Sequence, residues 1–156
     1  MKCLQKLAVL WLMLVSSFAF AQSEQQVAEI ISSDSPPVGV VFEVMEWEEG
    51  TFTGILNQIS HFSDTLKAKH PNIEVAVVSH GSEQFALLKE NQGSQSGVHD
   101  LTQSLVSNGI SVEVCATHAS WYGKDASDFA DHVEVVERAP MAIRAYQEKG
   151  YVLIRM

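Results

Sequence analysis

The chain has 156 residues, with 10 Lys and Arg against 19 Asp and Glu and a formal net charge of −9. This length suits one domain built on one core. The acidic balance repels phosphate backbones and anionic lipid heads, so neither nucleic acid nor a membrane surface is an expected partner.

The chain begins with a basic head, Met1 to Lys6, followed by an apolar stretch from Leu7 to Phe18 and a small-residue exit at Ala19-Phe20-Ala21. These are the three parts of a secretory signal peptide, and the apolar run is shorter than the roughly 20 residues a spanning helix needs. Residues 1–21 are therefore expected to be cleaved, leaving a periplasmic or secreted protein without a membrane span. Cys3 leaves with that segment, and Cys115 becomes the sole thiol in an oxidising compartment. With no internal disulfide available, the fold must be held by its core. The leftover thiol is either a small buried apolar group or a reactive or partner-pairing sulfur.

Residues 22–37 are rich in Ser and Gln and end in Pro36-Pro37, which forces an extended path. They read as an exposed lead-in with at most one turn of helix, and residues 38–156 as a single domain. From Val38 to Met45 an apolar, β-branched run suits a strand buried on both faces. The apolar residues Phe52, Ile55, Leu56, Ile59, Phe62 and Leu66 recur at intervals of three and four, which predicts a helix from about Phe52 to Lys69. Ile73 to Ser79 reads as the second strand and ends in His80-Gly81. Phe85 to Leu88 reads as a short helical stretch, and Asn91 to Gly97 as a mobile loop. A helix carrying Val98, Leu101, Leu105 and Val106 then stops at Asn108-Gly109.

The third strand runs from Gly109 to Cys115, and a short helix is expected over Ala116 to Tyr122 with Thr117 as its N-cap. His132 to Val136 reads as a fourth strand, a helix opens at Ala139-Pro140, and Tyr151 to Ile154 closes the chain as the last strand. Strands that are apolar throughout and alternate with helices predict an α/β fold, a three-layer α/β/α sandwich with a five-stranded parallel sheet. A flavodoxin-like arrangement is the expected form, with the strand order left open. Such sheets bind ligands outside the carboxyl ends of their strands. The tips there are Glu46, His80, Cys115 with His118, and the residues after Val136.

Cys115 ends a strand where a helix begins, so unpaired backbone N–H groups favour the thiolate there. His118, three residues on, supplies positive charge or a proton shuttle. His80 shares the rim. His80, Cys115 and His118 also form a donor set suited to zinc or copper, with His99 as a fourth ligand, although no close Cys or His pair repeats. The simpler reading places His80 in a turn and His99 in solvent. His61, His70 and His132 read as surface residues, and Glu46, Glu48 and Glu49 as a solvated loop. Trp47, Trp121 and Tyr122 line a pocket or an oligomer seam, or are packed in the core. The chain has no G-x-G-x-x-G, no P-loop and no G-x-S-x-G elbow, so no nucleotide cofactor is expected.

Several segments taken together resemble a known family: Val75 to Gly81 followed by Leu87-Leu88, then Leu105 and Gly109 to Cys115 with Gly123 eight positions on, and the tail from Val135-Val136 through Ala139-Pro140 to Gln147-Glu148-Lys149-Gly150-Tyr151. The chain is similar here to the DsrE/DsrF-like sulfur-relay family, from about Val38 to Ile154. The resemblance implies assembly into trimers or hexamers. It also implies that the cysteine matching Cys115 carries sulfur as a persulfide received from a thiol or sulfur-donor partner protein. His80 and Gly81 match the family's loop pattern and, with Thr117, are candidate binding residues beside Cys115 and His118. The relay members work in the cytoplasm, whereas this chain carries an export signal.

Overall fold

The structure, a computed structural model, describes residues 22–156; the expected signal segment lies outside them. Its first element is a helix over residues 22–32, here α1. Val27 and Ile30 lie buried in the main core, and the His70 ring is 3.0 Å from the Ile30 carbonyl. The segment expected as an exposed lead-in is thus mostly a packed helix. The three-residue spacing of Val27 and Ile30 places both on one face, and that face has a core to join.

Five strands follow: β1 Gly39–Val44, β2 Glu74–Ser79, β3 Ser111–Cys115, β4 Glu134–Val136 and β5 Tyr151–Arg155. All pairings are parallel, in the order β4-β3-β2-β1-β5. The expected α/β class with its five-stranded parallel sheet is what the chain adopts. The order itself differs from the 2-1-3-4-5 of the flavodoxin arrangement. Three strands are laid down in succession on one side of β1, and only β5 is added on the other.

The helices divide between the two faces of the sheet. α2 (Phe52–Lys69) buries Phe52, Ile55, Leu56, Ile59, Phe62 and Leu66. α3 (Ser96–Ser107) buries Val98 and Leu105. Together with α1 they cover the strand residues Val40, Phe42, Val44, Val75, Val77, Val112 and Val114 and form the main core. The alternate strand positions Val41, Ala76, Val78, Cys115 and Tyr151 point the other way, into a smaller core closed by Ala139 and Ile143 of α5 (Ala139–Glu148). The period-two alternation of strand side chains thus places Cys115 on the thinly covered face.

Two local features deliver Cys115 to the rim. At the end of α3, Gly109 takes a left-handed φ of 74°. The Gly109 N–H bonds the Val106 carbonyl at 2.9 Å, and the Ile110 N–H bonds the Leu105 carbonyl at 3.1 Å. This is a Schellman closure, which needs glycine at that conformation; its apolar partner Ile110 is buried and leads straight into β3. Register does the rest. Val44, Ser79 and Val114 lie level across β1, β2 and β3, so Met45, His80 and Cys115 form the next row at the carboxyl edge. The segment expected as a mobile loop, Asn91 to Gly97, is turn over residues 92–95, between the end of a 3-10 helix at Asn91 and the first residues of α3, Ser96 and Gly97.

Candidate functional site at the carboxyl edge

A cleft of about 460 Å³ opens over the carboxyl ends of the strands, a volume in the usual range for small-molecule sites. Four chain segments build it. Met45 and Trp47 follow β1; His80 and Gly81 follow β2; Cys115, Thr117, His118 and Trp121 come from the end of β3 and from α4 (Ala116–Ser120). Arg138, Pro140 and Met141 come from the start of α5. All five sequence-predicted site residues, His80, Gly81, Cys115, Thr117 and His118, line this one cleft.

Cys115 forms its floor with only 5% of its surface exposed, and it is the free cysteine of the described residues. Its backbone N–H donates to Gln84 Oε1 at 2.8 Å. The other end of that amide, Gln84 Nε2, lies 2.9 Å from His118 Nδ1. A backbone N–H can only donate, so the amide oxygen must face Cys115 and the amide NH₂ must face the imidazole. His118 Nδ1 is then an acceptor, and the ring is the neutral tautomer with its proton on Nε2. A protonated ring would set donor against donor. The positive charge expected of His118 is therefore replaced by a hydrogen-bond donor. The ring is buried, 6% exposed, and is held by Phe85, Trp121 and Tyr122 at centroid distances of 5.5, 5.5 and 5.3 Å.

Gln84 belongs to the 3-10 helix Ser82–Leu87, and its neighbour Glu83 organises the opposite wall. The Glu83 carboxylate is fully buried. Its Oε1 accepts from Ser79 Oγ at 2.7 Å and from the Gly81 N–H at 3.0 Å. Its Oε2 accepts from the Glu46 N–H at 2.7 Å. One carboxylate thus ties the loop after β1 to the loop after β2, with three donors offsetting its desolvation. Gly81 lies so close to the Glu83 side chain and the Glu46 backbone that a Cβ there would overlap both. Its presence in the His-Gly pair is therefore a matter of space. Glu83 and Gln84 escaped the sequence reading. The available signal was two polar side chains between a strand tip and the apolar run Phe85 to Leu88, where burial demands partners.

His80 is tied down, with Nε2 3.0 Å from Glu43 Oε1, while Glu43 Oε2 accepts from Arg155 Nε at 2.8 Å. Thr117 is not the N-cap of α4; Cys115 occupies that position. The Thr117 N–H and Oγ1 both donate to the Glu137 carbonyl, at 3.1 and 2.7 Å, which pins α4 to the segment carrying Arg138. His99 does not line the cleft. It is buried against His132, with ring centroids 5.5 Å apart. Among the described residues no group of three or more His, Cys, Asp and Glu is placed to hold a metal ion. Trp47 and Trp121 are 72% and 74% exposed and stand at the mouth.

Behind the cleft on the same sheet face, Glu113 is buried two residues before Cys115. Its carboxyl pKa is raised by desolvation, a trend opposed by the hydrogen bond from Tyr146 and reinforced by Glu134. The Tyr146 phenol is pushed well above its usual range by burial and by Glu113.

Fold and site together define an all-parallel α/β domain with a cleft at its carboxyl edge that Cys115 helps to line. No family model matches the chain, and no curated protein matches it. Among solved structures it is similar to a protein of unknown function, MTH1491, from Methanobacterium thermoautotrophicum. That likeness has a TM-score of 0.61 at 22% identity and covers 76% of this chain and 98% of that one. It is also similar to a conserved protein of unknown function, BT1422, from Bacteroides thetaiotaomicron, with a TM-score of 0.54 at 12% identity, covering 76% of this chain and 95% of that one. At these identities the likeness establishes the fold alone. No helix among the described residues is long and apolar enough to cross a membrane.

Proposed function

We propose that this protein is an exported, DsrE-like sulfur carrier whose Cys115 accepts a sulfane sulfur or thiol group and hands it on. The observation that carries the reading is the placement of Cys115, a buried free cysteine that lines a formed cleft. The transfer balances without an external oxidant: a persulfide R–S–SH meets Cys115–SH, its S–S bond breaks, and a new S–S bond forms on Cys115 Sγ. The Cys115 proton ends on the departing thiol RSH, and Cys115–S–SH remains. Gln84 orients the backbone at Cys115, and the Nε2–H of His118 offers a hydrogen bond to sulfur in the cleft. His118 is a donor of a hydrogen bond rather than of a proton, because its neutral ring has no second proton to give.

Export removes residues 1–21, and self-assembly into a trimer or hexamer belongs to the same reading. Its support is the sequence resemblance, together with the exposed apolar residues Met45, Trp47, Trp121, Tyr122 and Met141, a grouping of the kind that marks binding surfaces.

The test is mass spectrometry of protein incubated with glutathione persulfide. The expected product carries one added sulfur on Cys115, is reversed by thiol reductant and is lost in Cys115→Ser. Absence of the adduct would overturn the carrier role. N-terminal sequencing of material from the periplasm should begin after Ala21, and an intact Met1 would overturn export.

A further inference from the structure

The lining of the Cys115 cleft has a chemical character opposite to that of the chain around it. Acidic residues outnumber basic ones 19 to 10, yet none of the described residues lining the cleft is acidic. The cation at the mouth is Arg138. Its Nε lies 3.7 Å from Glu137 Oε1, beyond hydrogen-bond reach, and no other ion pair engages it among the described residues. The walls are apolar or aromatic: Met45, Trp47, Trp121, Pro140 and Met141.

A second observation points to an occupant. His118 is more than nine-tenths buried and lines the cleft. Its Nδ1 is committed to Gln84, while its Nε2–H has no hydrogen-bond partner among the described residues. That nitrogen is not among the enclosed polar atoms without a partner, so it is accessible from the cleft, where a ligand acceptor can take the place of water.

We propose, resting on the thiol-carrier reading, that the cleft selects a small sulfur compound with an aromatic or alkyl body and an anionic head, in preference to a cationic or purely polar one. The body lies against Trp47, Trp121 and Met141, the head meets Arg138, and the sulfur reaches Cys115 Sγ beside His118 Nε2–H. Arg138 and Trp121 sit on the rim, which makes them specificity residues. Neither takes part in the bond exchange.

The experiment measures thiol–disulfide exchange of the full mature protein with three probes: dithiobis-nitrobenzoate, aromatic and anionic; dithiodipyridine, aromatic and neutral; and cystamine, aliphatic and cationic. In each case the Cys115 thiolate attacks one sulfur, a mixed disulfide forms, and the other half leaves as a thiolate, so no further reactant is needed. Dividing each rate by that of the urea-unfolded chain removes differences between leaving groups.

The expected order of these ratios is dithiobis-nitrobenzoate, then dithiodipyridine, then cystamine, with the extremes differing on the order of tenfold or more. Arg138→Gln should lower the ratio for dithiobis-nitrobenzoate alone, and Trp121→Ala should lower it for both aromatic probes. Equal ratios, or a preference for cystamine such as the net acidic surface alone would produce, overturn the selectivity. A folded protein inert to all three probes, with a thiol that reacts once unfolded, overturns the carrier reading itself.

Discussion

Gln84 reaches Cys115 with one end of its amide and His118 with the other, at 2.8 and 2.9 Å. The link holds the floor of the cleft and one of its walls in a single hydrogen-bonded unit, and it fixes the tautomer of the imidazole. Gln84 is fully buried, so neither bond has water as a ready substitute.

Replacing Gln84 by Leu keeps the volume near its original value but leaves the buried Cys115 N–H without an acceptor. The expected cost is about 1–3 kcal/mol, read as a lower urea midpoint. The same variant frees His118 to turn, so the alkylation rate of Cys115 in the folded protein should change as well. A variant with wild-type stability and wild-type alkylation would show that the amide bridge organises nothing.

Gly81→Ala tests whether the two strand tips are as closely knotted as the Glu83 carboxylate implies. The added methyl meets the Glu83 side chain and the Glu46 backbone. The side chain is itself fixed by three hydrogen bonds, so neither neighbour yields freely. Overpacking of this kind costs about 1–3 kcal/mol. Thermal unfolding should report the loss, with reduced labelling selectivity at Cys115 because His80 sits on the same loop. Gly97→Ala is the control, since nothing lies within 4 Å of a Cβ at that position.

Much of the fold was legible in local patterns. The α2 stripe from Phe52 to Leu66 marked its helix, and the uniformly apolar strands pointed to a parallel sheet. Strand order was not legible, because the same βα alternation serves several orders. The packed helix at 22–32 was under-read because Val27 and Ile30 look weak until a neighbouring core is known. The rim residues His80, Cys115 and His118 followed from strand ends. Glu83 and Gln84 did not, since their importance lies in partners 31 to 37 positions away that no local pattern displays.

Glu113 and Tyr146 make a prediction of opposite sign to the usual acidic side chain. Burial raises the Glu113 pKa, so the folded state favours the protonated carboxyl. Its contribution is fully present below the unfolded pKa near 4.5 and is lost as pH rises through the folded value. Its Oε2 has no hydrogen-bond partner among the described residues. Glu113→Gln should therefore gain stability relative to wild type as pH rises from about 4 to about 8, measured by denaturant unfolding at both ends. Tyr146→Phe removes one of the two donors to Oε1, leaving Ser111 Oγ at 3.3 Å, and should lose stability most at the alkaline end, where the carboxylate is charged. A Glu113→Gln difference that stays constant with pH would contradict the buried-acid account.

His132 supplies the pH response in the other direction, at a place remote from Cys115. Its ring packs edge-on against His99, and its pKa is lowered by desolvation first and by His99 second, with Asp131 pulling the other way. The flanking ion pair is Lys89 with Asp131 at 2.8 Å. His99 Nδ1 and Nε2, Thr102 Oγ1 and His132 Nε2 are all enclosed without hydrogen-bond partners among the described residues, so added charge there finds no acceptor. With the folded pKa below the unfolded value of 6.5, the neutral ring favours folding. That contribution is fully present above the unfolded pKa and is lost as pH falls through the folded one. The urea midpoint should fall on acidification from neutral pH to about 5, before the carboxylates titrate in bulk. His132→Phe keeps the ring contact without the titration and should flatten this part of the profile. If the variant retains the full acid-dependent loss between neutral pH and about 5, the response belongs to another group.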